Sequence, residues 1–336
     1  MRVAINGLGR IGRATLRTLQ KTPALEIVAA NDLVPIDNLA YLIRYDTVYG
    51  RNPDEVRVDD DQLSIGDRSF PLFAKKDPAE LPWKDLGVDL VFECSGVFRT
   101  KEDLEKHRTA GAEFVILSAP PKSAGVPMVV HGATPLERVI DQPIVSTASC
   151  TTNCVAPIME VIDRRIGVEK SLMTTTHGYT SSQGLVDGPN KKIRRGRAAA
   201  ANMVPTSTGA AGATTKSVDG LTTDFDGVAL RIPLVSGSIA DVVVVTKRET
   251  DVAEINEIFR DEASSDRYRG VLGVTDDPLV SSDIIGDSRG SIVDAEMTRV
   301  VGGNLVKVMG WYDNEWGYTS QMVRHAVARA TATATA

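Results

Sequence analysis

The stretch that decides the fold is RVAINGLGRIGRATLRTLQ, residues 2–20. Arg2–Ile5 has the short apolar run of a buried strand, and Arg10–Gln20 carries apolar residues at helical spacing. The GxGxxG turn between them contains Gly7, Gly9 and Gly12. Such glycines allow a tight turn, close approach of a ligand to the backbone and close packing of the helix on the strand. This order of elements predicts the start of a doubly wound α/β domain.

A carboxylate follows at the spacing expected for a dinucleotide site. The second predicted strand, Leu25–Asn31, ends just before Asp32, which lies twenty residues after Gly12. At that distance an acidic side chain hydrogen-bonds the adenine ribose of NAD and disfavours the 2′-phosphate of NADP. Either feature alone is compatible with an incidental turn or a loop acid. Together they predict an NAD site whose pyrophosphate lies at a helix N-terminus.

The rest of the first 149 residues alternates strands and helices. Asp89–Glu93 and Phe114–Ser118 are predicted as short buried strands, with a helix over Lys101–Gly111 between them. This alternation is typical of a parallel sheet covered by helices on both faces. A Rossmann-type NAD-binding domain is therefore predicted over residues 1–149, joined by a C-terminal helix over residues 316–336.

Strands outnumber helices in residues 150–315, which predicts an α+β catalytic domain with a largely antiparallel sheet. One helix is predicted over Val252–Ser264. The basic segment Gln183–Ala201 is too polar for a core, and a loop of this length is usually functional or lies at an interface. The predicted strands of this domain are Ser171–Thr176, Gly227–Pro233, Ile239–Thr246 and Leu305–Tyr312.

The composition excludes several classes of protein. Of the 336 residues, 42% are hydrophobic and 24% are charged, and the formal net charge is −6, which gives no reason to expect a nucleic-acid partner. No run of about eighteen apolar residues occurs, so no membrane span is expected. Cys94, Cys150 and Cys154 form neither a CxxC pair nor an even set, which favours free thiols and a cytoplasmic location.

Cys150 lies in the stretch VSTASCTTNCVAPIM, where small hydroxylated residues give way to a helical pattern. Ser149, Thr151 and Thr152 are residue types that cap helices, so Cys150 is predicted at a helix N-terminus. The positive end of the helix dipole favours a thiolate there and is expected to lower the pKa of the thiol. The alternative is a buried structural cysteine, and Cys154, one turn further on, is interpreted in that way.

The four histidines differ in their surroundings. His107 lies in a polar helical stretch and His325 near the C-terminal helix, so both are expected to face solvent, whereas His131 fits either environment. His177 ends a predicted strand, from which it could reach a cleft and serve a thiol as base and then acid. A hydrogen-bonded core histidine is the alternative, because spacing alone does not place His177 beside Cys150.

Five motifs together resemble the phosphorylating glyceraldehyde-3-phosphate dehydrogenase family. They occur in the family's order and extend over essentially the whole chain, and the cysteine motif and the last motif are highly specific. They are NGLGRIGR at 6–13, ASCTTNC at 148–154, TTHGYT at 175–180, STGAAG at 207–212 and WYDNEWGY at 311–318.

The resemblance implies a mechanism and a place in glycolysis and gluconeogenesis. Cys150 would attack the aldehyde of glyceraldehyde 3-phosphate, and His177 would hold the thiolate and then remove the hemithioacetal proton as hydride leaves for NAD. Inorganic phosphate would cleave the resulting thioester to give 1,3-bisphosphoglycerate. The resemblance further implies a homotetramer, with Gln183–Ala201 reaching a neighbouring subunit, and no metal, membrane or nucleic acid is required.

The resemblance also implies the binding residues. The residues that would line the cofactor site are Asn6, Gly7, Gly9, Arg10, Ile11, Gly12, Asp32, Ser95, Ser118, Asn314 and Tyr318. Those that would bind the attacking phosphate or the substrate phosphate are Ser149, Thr151, Thr180, Arg197, Thr208, Gly209 and Arg231. Capping, turn or core roles remain alternatives for several of these positions.

Three other functions fit part of the pattern. An erythrose-4-phosphate dehydrogenase shares ASCTTNC but hydrolyses its acyl-enzyme; the intact Thr208-Gly209 pair favours phosphorolysis. A catalytically idle scaffold relative would be expected to lack Cys150 or His177, and both are present. A metal-dependent alcohol dehydrogenase would need clustered Cys and His ligands, which the spacing does not provide.

Overall fold

The computed structural model describes residues 1–221 and 224–335, and the side chains of 333–335 are left out of the description. The chain divides into two compact units. Unit 1 comprises Met1–Val129, Leu136–Ala148 and Met322–Ala336, and unit 2 comprises Val130–Pro135 and Ser149–Gln321. The division therefore falls between Ala148 and Ser149, one residue before the boundary predicted from the sequence.

The described part of unit 1 contains ten strands. They are β1 Arg2–Asn6, β2 Glu26–Asn31, β3 Tyr45–Asp46, β4 Gly50–Arg51, β5 Val56–Asp59, β6 Gln62–Ile65, β7 Arg68–Phe73, β8 Leu90–Glu93, β9 Phe114–Leu117 and β10 Ile144–Ser146. Eight of them form one sheet in the order β10-β9-β8-β1-β2-β7-β6-β5. The pairs from β10 to β7 are parallel, and β7, β6 and β5 form an antiparallel meander at one edge. A small separate pair is formed by β3 and β4. The helices are α1 Arg10–Gln20, α2 Ile36–Arg44 and α3 Lys101–Thr109, with short 3₁₀ turns at Pro78–Glu80 and Leu136–Arg138.

The carboxyl ends of three neighbouring strands define the functional edge of unit 1. In register, Asn6 at the end of β1 lies opposite Asn31 of β2 on one side and Glu93 of β8 on the other. The glycine-rich turn follows Asn6 and leads into α1, as the sequence predicts. In open parallel sheets, ligands bind outside the carboxyl ends of the strands. This edge is therefore where a dinucleotide is expected to bind.

Two histidine expectations are wrong. His107 is fully buried and His325 is 2% exposed. His107 lies on α3 three residues after the buried Leu104, on the face that turns inward. Its polar neighbours in sequence point elsewhere, because residues three apart share a helix face and adjacent ones do not. A buried imidazole needs hydrogen-bond partners, and His107 has Trp83 and Glu93.

The strands described in unit 2 form one mixed sheet. They are β11 Val168–Gly178, β12 Val204–Ser207, β13 Asp224–Ile232, β14 Ser238–Thr246, β15 Leu272–Thr275, β16 Ser291–Asp294, β17 Arg299–Val301 and β18 Leu305–Tyr312. Their order is β12-β13-β11-β14-β18-β16-β15, with β17 beside β18. Most pairs are antiparallel, but β11 with β13 and β15 with β16 are parallel. The helices are α4 Cys150–Arg165, α5 Ala210–Ser217, α6 Val252–Ser264 and α7 Trp316–Thr335, with 3₁₀ turns at Ile193–Gly196 and Ala295–Met297.

Helix α7 belongs to both units. Its first residues, up to Gln321, lie in unit 2, and the remainder from Met322 lies in unit 1, where Met322, Val323 and Ala326 join the core. Within the described residues, no helix has both the length and the apolar character needed to cross a membrane.

Candidate active site

Helix α4 and strand β11 position a cysteine and a histidine together in unit 2. Cys150 is the first residue of α4, and the Oγ of Ser149 caps the helix by accepting from the N–H of Thr152 at 3.2 Å. His177 is the penultimate residue of β11 and is buried. Cys150 Sγ lies 3.4 Å from His177 Nε2. The structure thus supplies the contact that sequence spacing could not.

The hydrogen bonds around His177 decide which ring nitrogen carries the proton. Nδ1 lies 2.6 Å from the carbonyl oxygen of Gly178 and 2.7 Å from Nη1 of Arg231. A carbonyl only accepts and a guanidinium only donates, so one neutral tautomer cannot satisfy both contacts. Arg231 Nη1 has Gly178 O as an acceptor of its own at 3.0 Å. Nδ1 is therefore the donor to Gly178, which leaves the lone pair of Nε2 facing the thiol.

Burial sets the protonation state of the pair. It lowers the pKa of His177 to about 3, with further lowering from the charge of Arg231, so the imidazole is neutral at ordinary pH. Burial also raises the pKa of the Cys150 thiol more than Arg231 and the N–H of Thr151 lower it. The expected lowering of the thiol pKa at the helix N-terminus is thus outweighed by desolvation. The pair is a neutral thiol beside a neutral base.

Arg231, a neighbour of His177, forms a cluster of cations with Arg195 and Lys192. Arg231 is adjacent to His177 because the two residues are directly in register on β13 and β11. Burial lowers the pKa of Arg231, Arg195 and Lys192, and the charge of Arg231 lowers those of the other two further. Within the described part of the chain none of the three forms an ion pair, and the buried Nε of Arg231 has no hydrogen-bond partner. Clustered cations without carboxylates form a site for an anion.

Arg197, which the sequence analysis assigned to phosphate binding, is paired elsewhere, and Arg195 of the same loop belongs to the cation cluster. Arg197 is 64% exposed and forms an ion pair with Asp187 at 2.9 Å, so the loop holds it apart from the cation cluster. Arg195 instead donates to the hydroxyls of Thr206 at 2.9 Å and Ser182 at 3.3 Å. The sequence offered no signal to choose among the three arginines of this basic loop, because only the path of the loop separates them.

The other predicted phosphate-binding residues lie just after β11 and at the N-termini of α4 and α5. Thr180 follows β11, and its hydroxyl bonds that of Ser182 at 2.9 Å. Thr208 and Gly209 lie at the N-terminus of α5, where the hydroxyl of Thr208 accepts from Ala210 N at 3.2 Å. The hydroxyl of Thr151 is buried and bonds the phenol of Tyr312 at 2.9 Å.

Tyr312 was not anticipated from the sequence. Its phenol also bonds Thr175 at 2.7 Å, and its ring packs edge-on against His177 at 6.0 Å. Burial raises its pKa. The residue therefore ties α4, β11 and β18 together behind the cysteine.

In unit 1 several predicted cofactor residues line one cavity of about 360 Å³. The lining includes Asn6, Gly7, Gly9, Asp32 and Ser95. The carboxylate of Asp32 is oriented at this edge by the N–H groups of Leu8 and Val34, at 2.6 and 2.9 Å.

The glycines of the turn fit a bound dinucleotide. A Cβ on Gly7, whose φ is +92°, would lie 2.6 Å from backbone atoms of Ser95, and one on Gly12 would lie 1.9 Å from the carbonyl oxygen of Gly7. A Cβ on Gly9 would meet nothing within 4 Å. Gly7 and Gly12 thus serve the tight turn and the helix packing, and Gly9 leaves open backbone at the start of α1 for a pyrophosphate.

Three other residues predicted to bind the cofactor, Arg10, Ile11 and Ser118, lie outside the lining of this cavity. Arg10 extends to Asp46 at 2.5 Å, and Ile11 packs against the core of unit 1. The N–H of Ser118 donates to the carbonyl of Glu93 at 3.0 Å. None of these three lines the cavity.

In unit 2, Asn314 is fixed by two donors. Its Oδ1 accepts from Gly237 N at 3.0 Å and from Ser238 Oγ at 2.9 Å, which leaves the amide nitrogen as the group available to a ligand carbonyl. Tyr318 is buried. Cys154 is buried as well, with its sulfur 3.5 Å from Gly310 O, and burial raises its pKa to about 12. No group of three or more His, Cys, Asp or Glu residues suited to a metal occurs in the described parts of the chain.

A glycine-rich dinucleotide cavity in one unit and a cysteine–histidine pair in the other define the class of nicotinamide-dependent dehydrogenases with a thiol nucleophile. Two family descriptions match the chain: "Glyceraldehyde 3-phosphate dehydrogenase, NAD binding domain" over residues 1–101 and "Glyceraldehyde 3-phosphate dehydrogenase, C-terminal domain" over residues 149–314. The chain belongs to the glyceraldehyde-3-phosphate dehydrogenase family.

Curated relatives match along nearly the whole chain. The glyceraldehyde-3-phosphate dehydrogenase of Thermotoga maritima is 45% identical over 96% of this chain and 97% of its own. The Streptomyces coelicolor enzyme of that name is 43% identical over 96% of each chain. The Zymomonas mobilis enzyme of that name is 42% identical over 98% of each.

Proposed function

We propose that this protein oxidises glyceraldehyde 3-phosphate with NAD and inorganic phosphate to 1,3-bisphosphoglycerate, through an acyl group carried on Cys150. The observation that carries the proposal is the contact of Cys150 Sγ with the unprotonated Nε2 of His177, beside cations that form no ion pair with any described residue. All three cysteines are free thiols, which fits the reducing cytoplasm in which this reaction is expected.

The neutral pair supports the first step directly. Cys150 Sγ bonds to C1 of the aldehyde while the thiol proton passes to His177 Nε2, and the imidazolium then gives this proton to the carbonyl oxygen, which yields a thiohemiacetal and a neutral His177. His177 then accepts the hydroxyl proton as the C–H bond breaks and the thioester forms. A phosphate oxygen attacks the thioester carbonyl, and the sulfur leaves as thiolate. His177 Nδ1 keeps its bond to Gly178 throughout, so Nε2 always faces the sulfur.

NAD supplies the acceptor for the hydride that leaves C1. The proposed contacts in unit 1 are Asp32 with the adenine ribose, the turn Gly7–Gly12 with the pyrophosphate, and Asn6 and Ser95 along the wall of the cavity. In unit 2 the oriented amide nitrogen of Asn314 is proposed to bind the nicotinamide carboxamide, with Tyr318 near the ring.

Two phosphate subsites are proposed. Arg231, Arg195 and Thr180 bind the phosphate of the substrate, because both arginines are half-buried cations and the Nε of Arg231 has no hydrogen-bond partner among the described residues. Ser149, Thr151, Thr208 and Gly209 bind the attacking phosphate through hydroxyls and helix N-termini.

Self-association into a homotetramer is proposed from two exposed apolar surfaces of unit 2. On the sheet, Leu172 and Val228 are 63% and 51% exposed; on the basic loop and just beyond it, Ile193 and Met203 are 86% and 76% exposed. Exposed apolar patches on a folded chain mark interfaces. Sedimentation velocity is expected to show a tetramer that Leu172→Asp dissociates, and a monomeric wild-type protein would overturn the assignment.

The decisive assay compares glyceraldehyde 3-phosphate with erythrose 4-phosphate, each with and without phosphate. Steady NADH formation that needs both glyceraldehyde 3-phosphate and phosphate is expected. Turnover independent of phosphate would indicate hydrolysis of the acyl-enzyme instead. A preference for erythrose 4-phosphate would reassign the substrate.

A further inference from the structure

A chain of buried polar side chains crosses the carboxyl ends of three adjacent strands. Asn31 of β2 donates to Asn6 of β1 at 2.7 Å, and Asn6 donates to Glu93 of β8 at 2.5 Å. The three residues are opposite one another in the registers of β1 with β2 and of β1 with β8. Glu93 is fully buried and no acid–base step of the proposed mechanism uses it.

The backbone of Lys75 fixes the direction of this chain at one end. Asn31 Oδ1 accepts from Lys75 N at 2.8 Å, and Asn31 Nδ2 donates to Lys75 O at 3.0 Å. A backbone N–H cannot accept and a backbone carbonyl cannot donate, so the amide of Asn31 has only one orientation. Its nitrogen therefore faces Asn6 Oδ1, and the nitrogen of Asn6 faces Glu93.

Trp83 fixes the direction at the other end. Its indole N–H lies 3.1 Å from His107 Nδ1, and His107 Nε2 lies 3.0 Å from the Oε2 of Glu93. An indole only donates, so Nδ1 is the acceptor and the ring proton is on Nε2. Both chains of hydrogen bonds therefore point toward Glu93, which receives donors from two sides.

The second oxygen of Glu93 holds the wall of the cofactor cavity. Its Oε1 accepts from the N–H of Ser95 at 2.8 Å and from the Ser95 hydroxyl at 2.5 Å. Ser95 packs directly against Gly7, as the position of a Cβ there demonstrates. Four donors around one carboxylate suit the ionised form, because a carboxylate only accepts.

We propose that Glu93 is a positioning residue for NAD: its ionised carboxylate, held by His107 and Trp83, fixes the side chain of Asn6 and the backbone of Ser95 at the wall of the cofactor cavity. Glu93 is not itself part of the lining of the cavity. It orients two groups that line the cavity, and it does so from the end of the strand next to the glycine-rich turn. The inference rests on the proposed location of NAD in this cavity.

The test measures the Kd of NAD by titration calorimetry on the enzyme without substrate. Glu93→Gln keeps the shape of the side chain but replaces one carboxylate oxygen by an amide NH₂ group. Because that NH₂ faces donors of Asn6 and His107 or of Ser95, at least one buried donor loses its acceptor. The Kd is expected to rise roughly tenfold or more, as for a buried group left without a partner. The KM of glyceraldehyde 3-phosphate is expected to stay unchanged.

A pair of variants at His107 separates positioning from general loss of stability. A glutamine can accept from Trp83 and donate to Glu93, so His107→Gln is expected to bind NAD within about twofold of wild type, whereas His107→Leu leaves Glu93 one donor short and weakens binding. This pair carries the test if Glu93→Gln does not fold. Equal Kd values for His107→Gln and His107→Leu, or an unchanged Kd in Glu93→Gln, would overturn the inference.

Two controls complete the experiment. Asp294 in unit 2 is also a buried acid that accepts from an indole, that of Trp311 at 3.0 Å. Asp294→Asn is expected to lower the Tm without changing the Kd of NAD. Asp32→Ala tests the location of the cofactor: if it leaves the Kd unchanged, the proposed cavity is wrong, whereas an effect of Asp32→Ala with none of Glu93→Gln refutes the positioning role alone.

Discussion

Replacing Arg231 by glutamine tests whether the cation cluster binds the phosphate of the substrate. The side chain of Arg231 is half-buried, and its Nε has no partner among the described residues, so it has a donor ready for an anion. A hydrogen bond to a charged group contributes about 1.5–3 kcal/mol. At about 1.4 kcal/mol per factor of ten, kcat/KM for glyceraldehyde 3-phosphate should fall about 10- to 150-fold.

The assay is the initial rate of NADH formation with two substrates. Glyceraldehyde lacks the phosphate, so its kcat/KM should change much less in Arg231→Gln than that of glyceraldehyde 3-phosphate. Arg195→Gln is the matched control, because Arg195 bonds Thr206 and Ser182, whereas Nη1 of Arg231 approaches Nδ1 of His177 to 2.7 Å. It should reproduce the loss that depends on the phosphate while leaving glyceraldehyde turnover intact.

An equal loss with both substrates in Arg231→Gln would refute the reasoning. That outcome would mean that Arg231 acts on His177, which its Nη1 approaches to 2.7 Å. A loss in Arg231→Gln without one in Arg195→Gln would confine the substrate phosphate to a single arginine.

Other predictions concern the thiol and the cofactor. Cys150→Ser should abolish NADH formation, and the Kd of NAD in calorimetry should stay near wild type. Arg231→Gln should move the pH profile of iodoacetamide alkylation of Cys150 to higher pH, because removing a nearby cation raises the thiol pKa; an unmoved profile would contradict this. Asp32→Ala should narrow the ratio of kcat/KM for NAD to that for NADP, and an unchanged ratio would assign discrimination elsewhere. Gly12→Ala should lower the free energy of unfolding by about 1–3 kcal/mol in urea titrations, since its Cβ would meet the carbonyl of Gly7; a neutral effect would refute the packing role.

Local patterns predicted the elements that carry the site. Helix α1 is observed over the predicted Arg10–Gln20, and α6 and β18 also have the predicted bounds. Ser149 caps α4 in front of Cys150 as its residue type indicates. These features depend on residues within a few positions of one another, so the sequence contains the information needed to place them.

Contacts between elements that are far apart in the sequence could not be predicted from such local patterns. Arg231 lies beside His177 only because β13 pairs in parallel with β11, fifty-four residues away along the chain. His107 was expected in solvent because its partners, Glu93 and Trp83, come from other elements. The prediction of a lowered pKa for the Cys150 thiol was wrong for a similar reason. The helix N-terminus is a local feature, whereas the desolvation that outweighs its effect on the pKa comes from the assembled unit.

The path of helix α7 has a consequence for synthesis on the ribosome. Met322, Val323 and Ala326 fill the core of unit 1, yet they are translated after all of unit 2. When residues 1–148 have left the exit tunnel, their sheet still exposes the surface that α7 later covers. We expect the nascent unit 1 to remain incomplete and open to chaperones until the last helix emerges, so the half of the molecule made first is the last to be finished.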